Sequence, residues 1–191
     1  MTPKILERDA ATLALRRDHE PPFGGEMVRH YLRDLVYGAN DGIITTFAIV
    51  SGVTGAALPV RTILILGVAN LLADGFSMGA SNFLSIRSEE AVRTTRGELM
   101  LEPFPARHGL ATILAFVLAG CVPLLPYVLV APDQRFGVAI GATLLVLFAV
   151  GASRAAVTQL RWWRAGGEML LVGAVAALVS YGVGALVGGL T

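Results

Sequence analysis

Five long apolar segments mark the chain, at roughly Val36–Leu58, Thr62–Ile86, Leu110–Val130, Phe136–Val157 and Met169–Leu190. Each has about 21–25 residues, which at 1.5 Å rise per residue crosses roughly 30 Å of hydrocarbon with some tilt. Period-two alternation is absent, and lipid offers no partner to an open strand, so these segments predict helices rather than a barrel. The pattern predicts an all-α integral membrane protein: a polar segment over residues 1–35, then five transmembrane helices over 36–191, with a short loop at 87–108.

The first 35 residues are polar, with Pro21-Pro22 and Gly24-Gly25 as breakers. No short apolar run precedes a small-residue cleavage site, so no signal peptide is expected. Ala10–Arg17 reads either as a short amphipathic helix lying on the membrane or as a tail. Charge then sets the orientation. Six basic residues precede the first span, four (Arg87, Arg93, Arg96, Arg107) lie between spans two and three, and three (Arg154, Arg161, Arg164) between spans four and five. The opposite side holds Arg61 and Arg135 alone, so the 15 basic residues divide 13 to 2. The positive-inside rule places the N-terminus in the cytosol and the C-terminus outside. Trp162 and Trp163, between Arg161 and Arg164, read as interfacial anchors on the cytosolic side.

Composition agrees and removes other classes. Of the 191 residues 54% are hydrophobic and 15% charged, against roughly 25% charged in soluble proteins. The 22 glycines suit helices packed in lipid. A net charge of +1 gives no field for nucleic acid. The single Cys121 excludes an internal disulfide framework and a Cys-rich metal site.

Polar groups inside lipid are where function is sought. Span one opens Tyr37-Gly38-Ala39-Asn40-Asp41-Gly42, followed by Thr45 and Thr46. Span two carries Asn70, Asp74, Met78 and Asn82 at spacings of four, a single helical stripe flanked by Ser77 and Ser81. Counted from the apolar edges, Asp41 lies roughly 7–8 Å deep, Asn82 roughly 6 Å, Met78 roughly 12 Å, and Asp74 near mid-membrane. This predicts that Asp41 sits at a depth between Asn82 and Met78. Asn70, Ser77 and Ser81 read equally well as helix–helix hydrogen bonds, and a lone Met is more often packing than ligand. An aspartate is different, since each costs roughly 2.5–3.5 kcal/mol near a helix centre on insertion scales. Carboxylate, amide and thioether together favour a first-row transition metal such as Fe²⁺ or Mn²⁺ over Mg²⁺ or Ca²⁺. A carboxylate buried without a cation takes up a proton, which offers a route to proton/metal exchange.

Small-xxx-small pairs occur at Gly38/Gly42, Gly75/Gly79, Gly137/Gly141 and Gly184/Gly188, and the first two bring backbones close beside Asp41 and Asp74. Five spans are few to enclose a path, so a homodimer with the path at its interface is expected. Pro123 and Pro126 predict a kink in span three. In the loop Arg87–His108, Glu89, Glu90, Glu98 and Glu102 read either as a cytosolic metal-collecting set or as a solvated charged face. His19, His30 and His108 show no paired metal-ligand spacing and receive no role. Nucleophile elbows, phosphate-cradling loops and zinc motifs are absent, so an enzyme is not expected.

Asp41-Gly42-Ile43-Ile44-Thr45-Thr46-Phe47, Ala73-Asp74-Gly75-Phe76-Ser77-Met78 and Ser81-Asn82-Phe83-Leu84-Ser85 resemble the vacuolar iron transporter family. His108-Gly109-Leu110-Ala111-Thr112, Pro123-Leu124-Leu125-Pro126 and Gly166-Gly167-Glu168-Met169-Leu170 extend the likeness over most of the chain after residue 30. The resemblance implies a homodimer of five-span subunits moving Fe²⁺ or Mn²⁺ out of the cytosol against protons, with Asp41 and Met78 lining the path. The sequence departs from the family at Asn82, where a glutamate is usual. It also has only about 20 residues between spans two and three, where many members carry a long Glu-rich metal-binding domain; it thus resembles a short form lacking that domain.

The expectation is a bacterial-type inner-membrane exporter of divalent transition metal. Asp41, Met78, Asp74 and Asn82 would line the path, no cofactor would be permanently bound, and the partners would be lipid, the transported ion and a second copy. The alternatives are a non-transporting membrane structural or regulatory protein, in which Asp41 and Asp74 hold the dimer, and a passive divalent cation channel.

Overall fold

The computed structural model describes residues 25–155 and 161–190, all helix or connecting turn. The helices are α1 (Gly25–Gly55), α2 (Val60–Thr95), α3 (Pro105–Gly120), α4 (Leu125–Leu129), α5 (Arg135–Ser153) and α6 (Trp162–Gly188). Helices α2, α5 and α6 are long and apolar enough to cross a membrane; α3 is a shorter apolar helix. Helix α1 is long enough, but Asn40, Asp41 and its small polar residues dilute the apolar stretch. Ala10–Arg17 lies outside the described residues.

Helix α1 is the hub, packing against α3 on one side and α6 on the other; α2 leans mainly on α3, and α5 on α6. The apolar core gathers Phe47 and Val50 of α1, Ile63 and Leu71 of α2, Phe116 of α3, and Leu124. Between lipid-embedded helices the drive is close packing rather than exclusion of water, and glycine permits it. A Cβ on Gly38 would stand 2.5 Å from the Thr112 carbonyl oxygen, and one on Gly42 would strike the Phe116 backbone. Gly75 and Gly79 face Phe116 and Ile113 of α3 in the same way, with Gly79 also against Gly109. These glycines thus bring α1 and α2 each against α3 rather than directly against one another. Gly184 and Gly188 seat α6 on Gly52 and Ala56 of α1, whereas Gly137 and Gly141 of α5 meet nothing within 4 Å.

Three boundaries differ from the hydropathy pattern. Helix α1 begins eleven residues before Val36, because its first turns are anchored by polar contacts that apolarity cannot reveal. Helix α2 runs to Thr95, so the loop before α3 is short. It ends on Gly97 at φ +74°, with the Glu98 N–H donating to the Arg93 carbonyl, a left-handed stop that favours glycine. Third, Pro123 and Pro126 break the predicted third span rather than kink it: α3 stops at Gly120, the chain turns through Cys121–Leu124, and α4 restarts with Pro126 in its first turn.

Candidate metal centre

A polar cluster closes the end of the bundle that holds the start of α1. His30 and Asp34 sit one turn apart on α1, Asn82 comes from α2, Glu102 from the α2–α3 loop, and His108 and Thr112 lie one turn apart on α3. The contacts form an unbroken chain. His30 Nε2 lies 3.2 Å from Glu102 Oε2, which lies 3.0 Å from His108 Nε2. His108 Nδ1 is 2.6 Å from Asp34 Oδ2. Asn82 Nδ2 donates to Asp34 Oδ1 at 2.9 Å and to Thr112 Oγ1 at 2.8 Å. Thr112 in turn donates to the His108 carbonyl at 2.9 Å. Asp34 and His108 are buried, at 4% and 5% exposure.

Burial disfavours a charged His108 ring, but the hydrogen bond and negative charge of Asp34, followed by those of Glu102, outweigh it and raise the pKa. The Tyr31 phenol is pushed up too, by burial first and then by the charges of Glu102 and Asp34. The rings of His30 and Tyr31 each lie tilted against His108, with centroids 5.1 and 4.6 Å away. A cavity of about 220 Å³ opens on the cluster, with Arg33, Asp34, Glu90 and the two histidines in its wall. His30, Glu102 and His108 each offer one ligand atom, all within 4.8 Å of one another.

The four loop glutamates do not act as one set. Only Glu102 joins the histidines. Glu90, buried at 4% exposure, accepts from the backbone N–H groups of Leu101 and Glu102 at 3.0–3.2 Å and so fixes the loop. Glu89 and Glu98 flank Arg93 at 3.4 and 3.5 Å.

Two contacts set the α1–α2 register: Asn82 with Asp34, and Asn70 Nδ2 with Thr45 Oγ1 at 3.4 Å. Between them Asp41 falls level with Asp74, and Met78 level with Tyr37 and Gly38. Asp41 therefore does not lie between Asn82 and Met78; counting from apolar edges misplaced it because α1 and α2 both continue past those edges. Asp41 and Asp74 are half-buried, and each carboxylate sits in the field of the other. Among the described residues neither carboxylate pairs with a basic side chain. Met78, also half-buried, packs against the apolar core.

Sequence reasoning passed over His30, Asp34 and His108. The local signal was present: His30/Asp34 and His108/Thr112 are both i,i+4 pairs, each of which puts two polar groups on one helical face. What the sequence lacked was the knowledge that these two faces meet.

A family model described as the VIT family matches residues 32–102 and 93–185. Vacuolar iron transporter homolog 4 of Arabidopsis thaliana is 31% identical over 185 residues, covering 92% of this chain and 93% of the relative. Vacuolar iron transporter homolog 3 of the same plant is 30% identical, with 92% of each covered. Vacuolar iron transporter 1 of Oryza sativa subsp. japonica is 27% identical over 217 aligned positions, covering 83% of this chain and 84% of the relative. With its apolar helices and these matches over most of its length, the chain is an integral membrane protein that belongs to the VIT family.

Proposed function

We propose that the protein carries a divalent transition metal, Fe²⁺ or Mn²⁺, out of the cytosol across its membrane in exchange for protons. The metal moves along a path between two copies of the chain. The observation that carries this reading is the pair Asp41 and Asp74: two half-buried carboxylates level with one another on apolar helices, with no basic partner among the described residues. Membrane burial penalises such groups by a few kcal/mol each, and a cation or a proton relieves the penalty. The names of the relatives, a vacuolar iron transporter and vacuolar iron transporter homologs, support metal as cargo.

In this reading α1, α2, α3 with α4, α5 and α6 make five spans, and the basic side chains gathered on one side put the N-terminus in the cytosol. The stripe Asn70, Asp74, Met78, Asn82 borders the outer apolar face of α2, where Ile65, Leu72 and Phe76 are 55–68% exposed. A second copy covering that face closes a path over the stripe. Asp41, Asp74 and Met78 then line it, and Asn82 orders its cytosolic mouth. The three relatives described above are plant proteins named for the vacuole, so a bacterial inner membrane remains an expectation of the sequence alone.

The test is flux into proteoliposomes with Fe²⁺, Mn²⁺, Co²⁺, Zn²⁺ and Ca²⁺, each with and without an imposed pH gradient. Fe²⁺ or Mn²⁺ flux driven by the gradient, and reduced to background in Asp41→Asn, is the expected result. Flux that ignores the gradient identifies a passive channel. Flux unchanged in Asp41→Asn removes the proposed path.

A further inference from the structure

We propose that His30, Glu102 and His108 form a second metal site, built within one subunit and separate from the Asp41/Asp74 level of the membrane. Its ligands are two imidazoles and one carboxylate, a set that suits Fe²⁺, Mn²⁺, Co²⁺ or Zn²⁺ and that all-oxygen cations such as Mg²⁺ and Ca²⁺ do not favour.

The spacing fits. Two ligand atoms each about 2.1 Å from one metal stand about 3.0 Å apart at a right angle and about 3.4 Å apart at a tetrahedral angle. Glu102 Oε2 lies 3.0 Å from His108 Nε2 and 3.2 Å from His30 Nε2. The carboxylate oxygen is thus already at ligand-to-ligand distance from both nitrogens. Three protein ligands leave positions for water or for a ligand handed onward.

An outer shell supports the same assignment. Asp34 Oδ2 holds His108 Nδ1 at 2.6 Å, which turns the ring so that Nε2 points at Glu102. A carboxylate behind a histidine in this way fixes its tautomer and strengthens it as a ligand. Asp34 is itself held by Asn82 at 2.9 Å. On the loop side, Glu90 grips the N–H groups of Leu101 and Glu102, so the third ligand is set from a fixed backbone. The cavity of about 220 Å³ over the cluster gives a hydrated ion a way in. Arg33 and Arg93 also border that cavity, but Arg93 is flanked by Glu89 and Glu98.

Metal binding here stands on this geometry alone. Its use as the station that loads the membrane path rests on the transport reading, since its α1 ligand His30 lies eleven residues, about three helical turns, before Asp41, on the side that reading makes cytosolic.

The experiment uses the full-length protein in nanodiscs, with Co²⁺ as optical probe and Mn²⁺ as magnetic probe. Wild type binds Co²⁺ with visible bands of mixed nitrogen and oxygen ligation, and bound Mn²⁺ shows hyperfine coupling to imidazole nitrogen. His30→Gln and Glu102→Gln each remove the Co²⁺ bands, and Asp34→Asn weakens affinity roughly 10–100-fold. Asp41→Asn retains the bands while losing flux, so failure of the path and failure of this site give different results. His30, at the edge of the cluster, is the variant least able to disturb folding, and the nitrogen coupling in wild type needs no variant. Absence of nitrogen coupling in wild type, or unchanged Co²⁺ affinity in folded His30→Gln and Glu102→Gln, overturns the proposal.

Discussion

The Asn82 amide nitrogen spends both of its hydrogens, one on Asp34 at 2.9 Å and one on Thr112 at 2.8 Å, and so ties α2 to α1 and α3 at a single point. Removing it leaves Asp34 Oδ1 buried without this donor, and a stranded buried acceptor costs about 1–3 kcal/mol, more when charged. Asn82→Ala is therefore expected to lower the midpoint of thermal unfolding in detergent by several degrees. Asn82→Asp does the same or worse, because it removes both donors and sets a second carboxylate against the first. An unchanged midpoint in both variants contradicts this role for Asn82.

Much of the architecture was legible because lipid permits so little else: apolar segments of spanning length predict helices, and α2, α5 and α6 are such helices. Pro123 and Pro126 also announced their disturbance, although not that it would interrupt the helix over Cys121–Leu124. The polar cluster was hidden for a different reason. Its members come from two positions on α1, one on α2, one in a loop and two on α3, and only the packing of Gly38, Gly42 and Gly79 against α3 brings them together. Hydropathy also cannot register that α1 starts at Gly25, since its first turns are held by His30 and Asp34 rather than by apolar burial. The depth of Asp41 slipped for that reason, and that of Met78 because α2 continues past Ile86 to Thr95.

His108 couples stability to pH. Its folded pKa is raised above the ordinary value near 6.5. The folded state therefore holds a proton that the unfolded chain has released once the pH passes about 6.5. The stabilisation is fully present below that value and is lost as pH rises through the folded pKa. With a chelator present, the unfolding midpoint is expected to fall between pH 6.5 and the folded value and then to level off. His108→Asn should flatten this dependence, measured as unfolding midpoint against pH for the two proteins. An equal slope in the variant assigns the dependence to another group.

The glycine contacts make a paired prediction. A methyl on Gly42 collides with the Phe116 backbone, which cannot rotate away as a side chain can. Gly42→Ala is expected to push α1 from α3, lowering folded yield and the unfolding midpoint. At Gly137 an added Cβ meets nothing within 4 Å of the chain. Replacing that glycine with alanine gains up to about 1 kcal/mol of helix propensity. Gly137→Ala should therefore leave the midpoint level or raise it. Equal losses in both variants point to a general intolerance of side chains rather than to close packing.

Glu90 is the remaining test, because its burial serves the loop and not a ligand. Its carboxylate takes three backbone contacts at 3.0–3.2 Å, two from the Leu101 N–H and one from the Glu102 N–H. Those donors lie just past Gly97, where the chain has left α2 and has no helical acceptor of its own. Glu90→Ala removes the acceptor and exposes both amides to solvent. Hydrogen exchange at Leu101 and Glu102 is expected to accelerate at least tenfold, while amides in the middle of α3 and α5 keep their protection. Glu90→Gln retains one acceptor oxygen and should fall between the two. If Glu90→Ala leaves exchange at Leu101 and Glu102 unchanged, the loop is fixed by the Glu102 contacts to His30 and His108 instead, and Glu90 has no part in positioning Glu102.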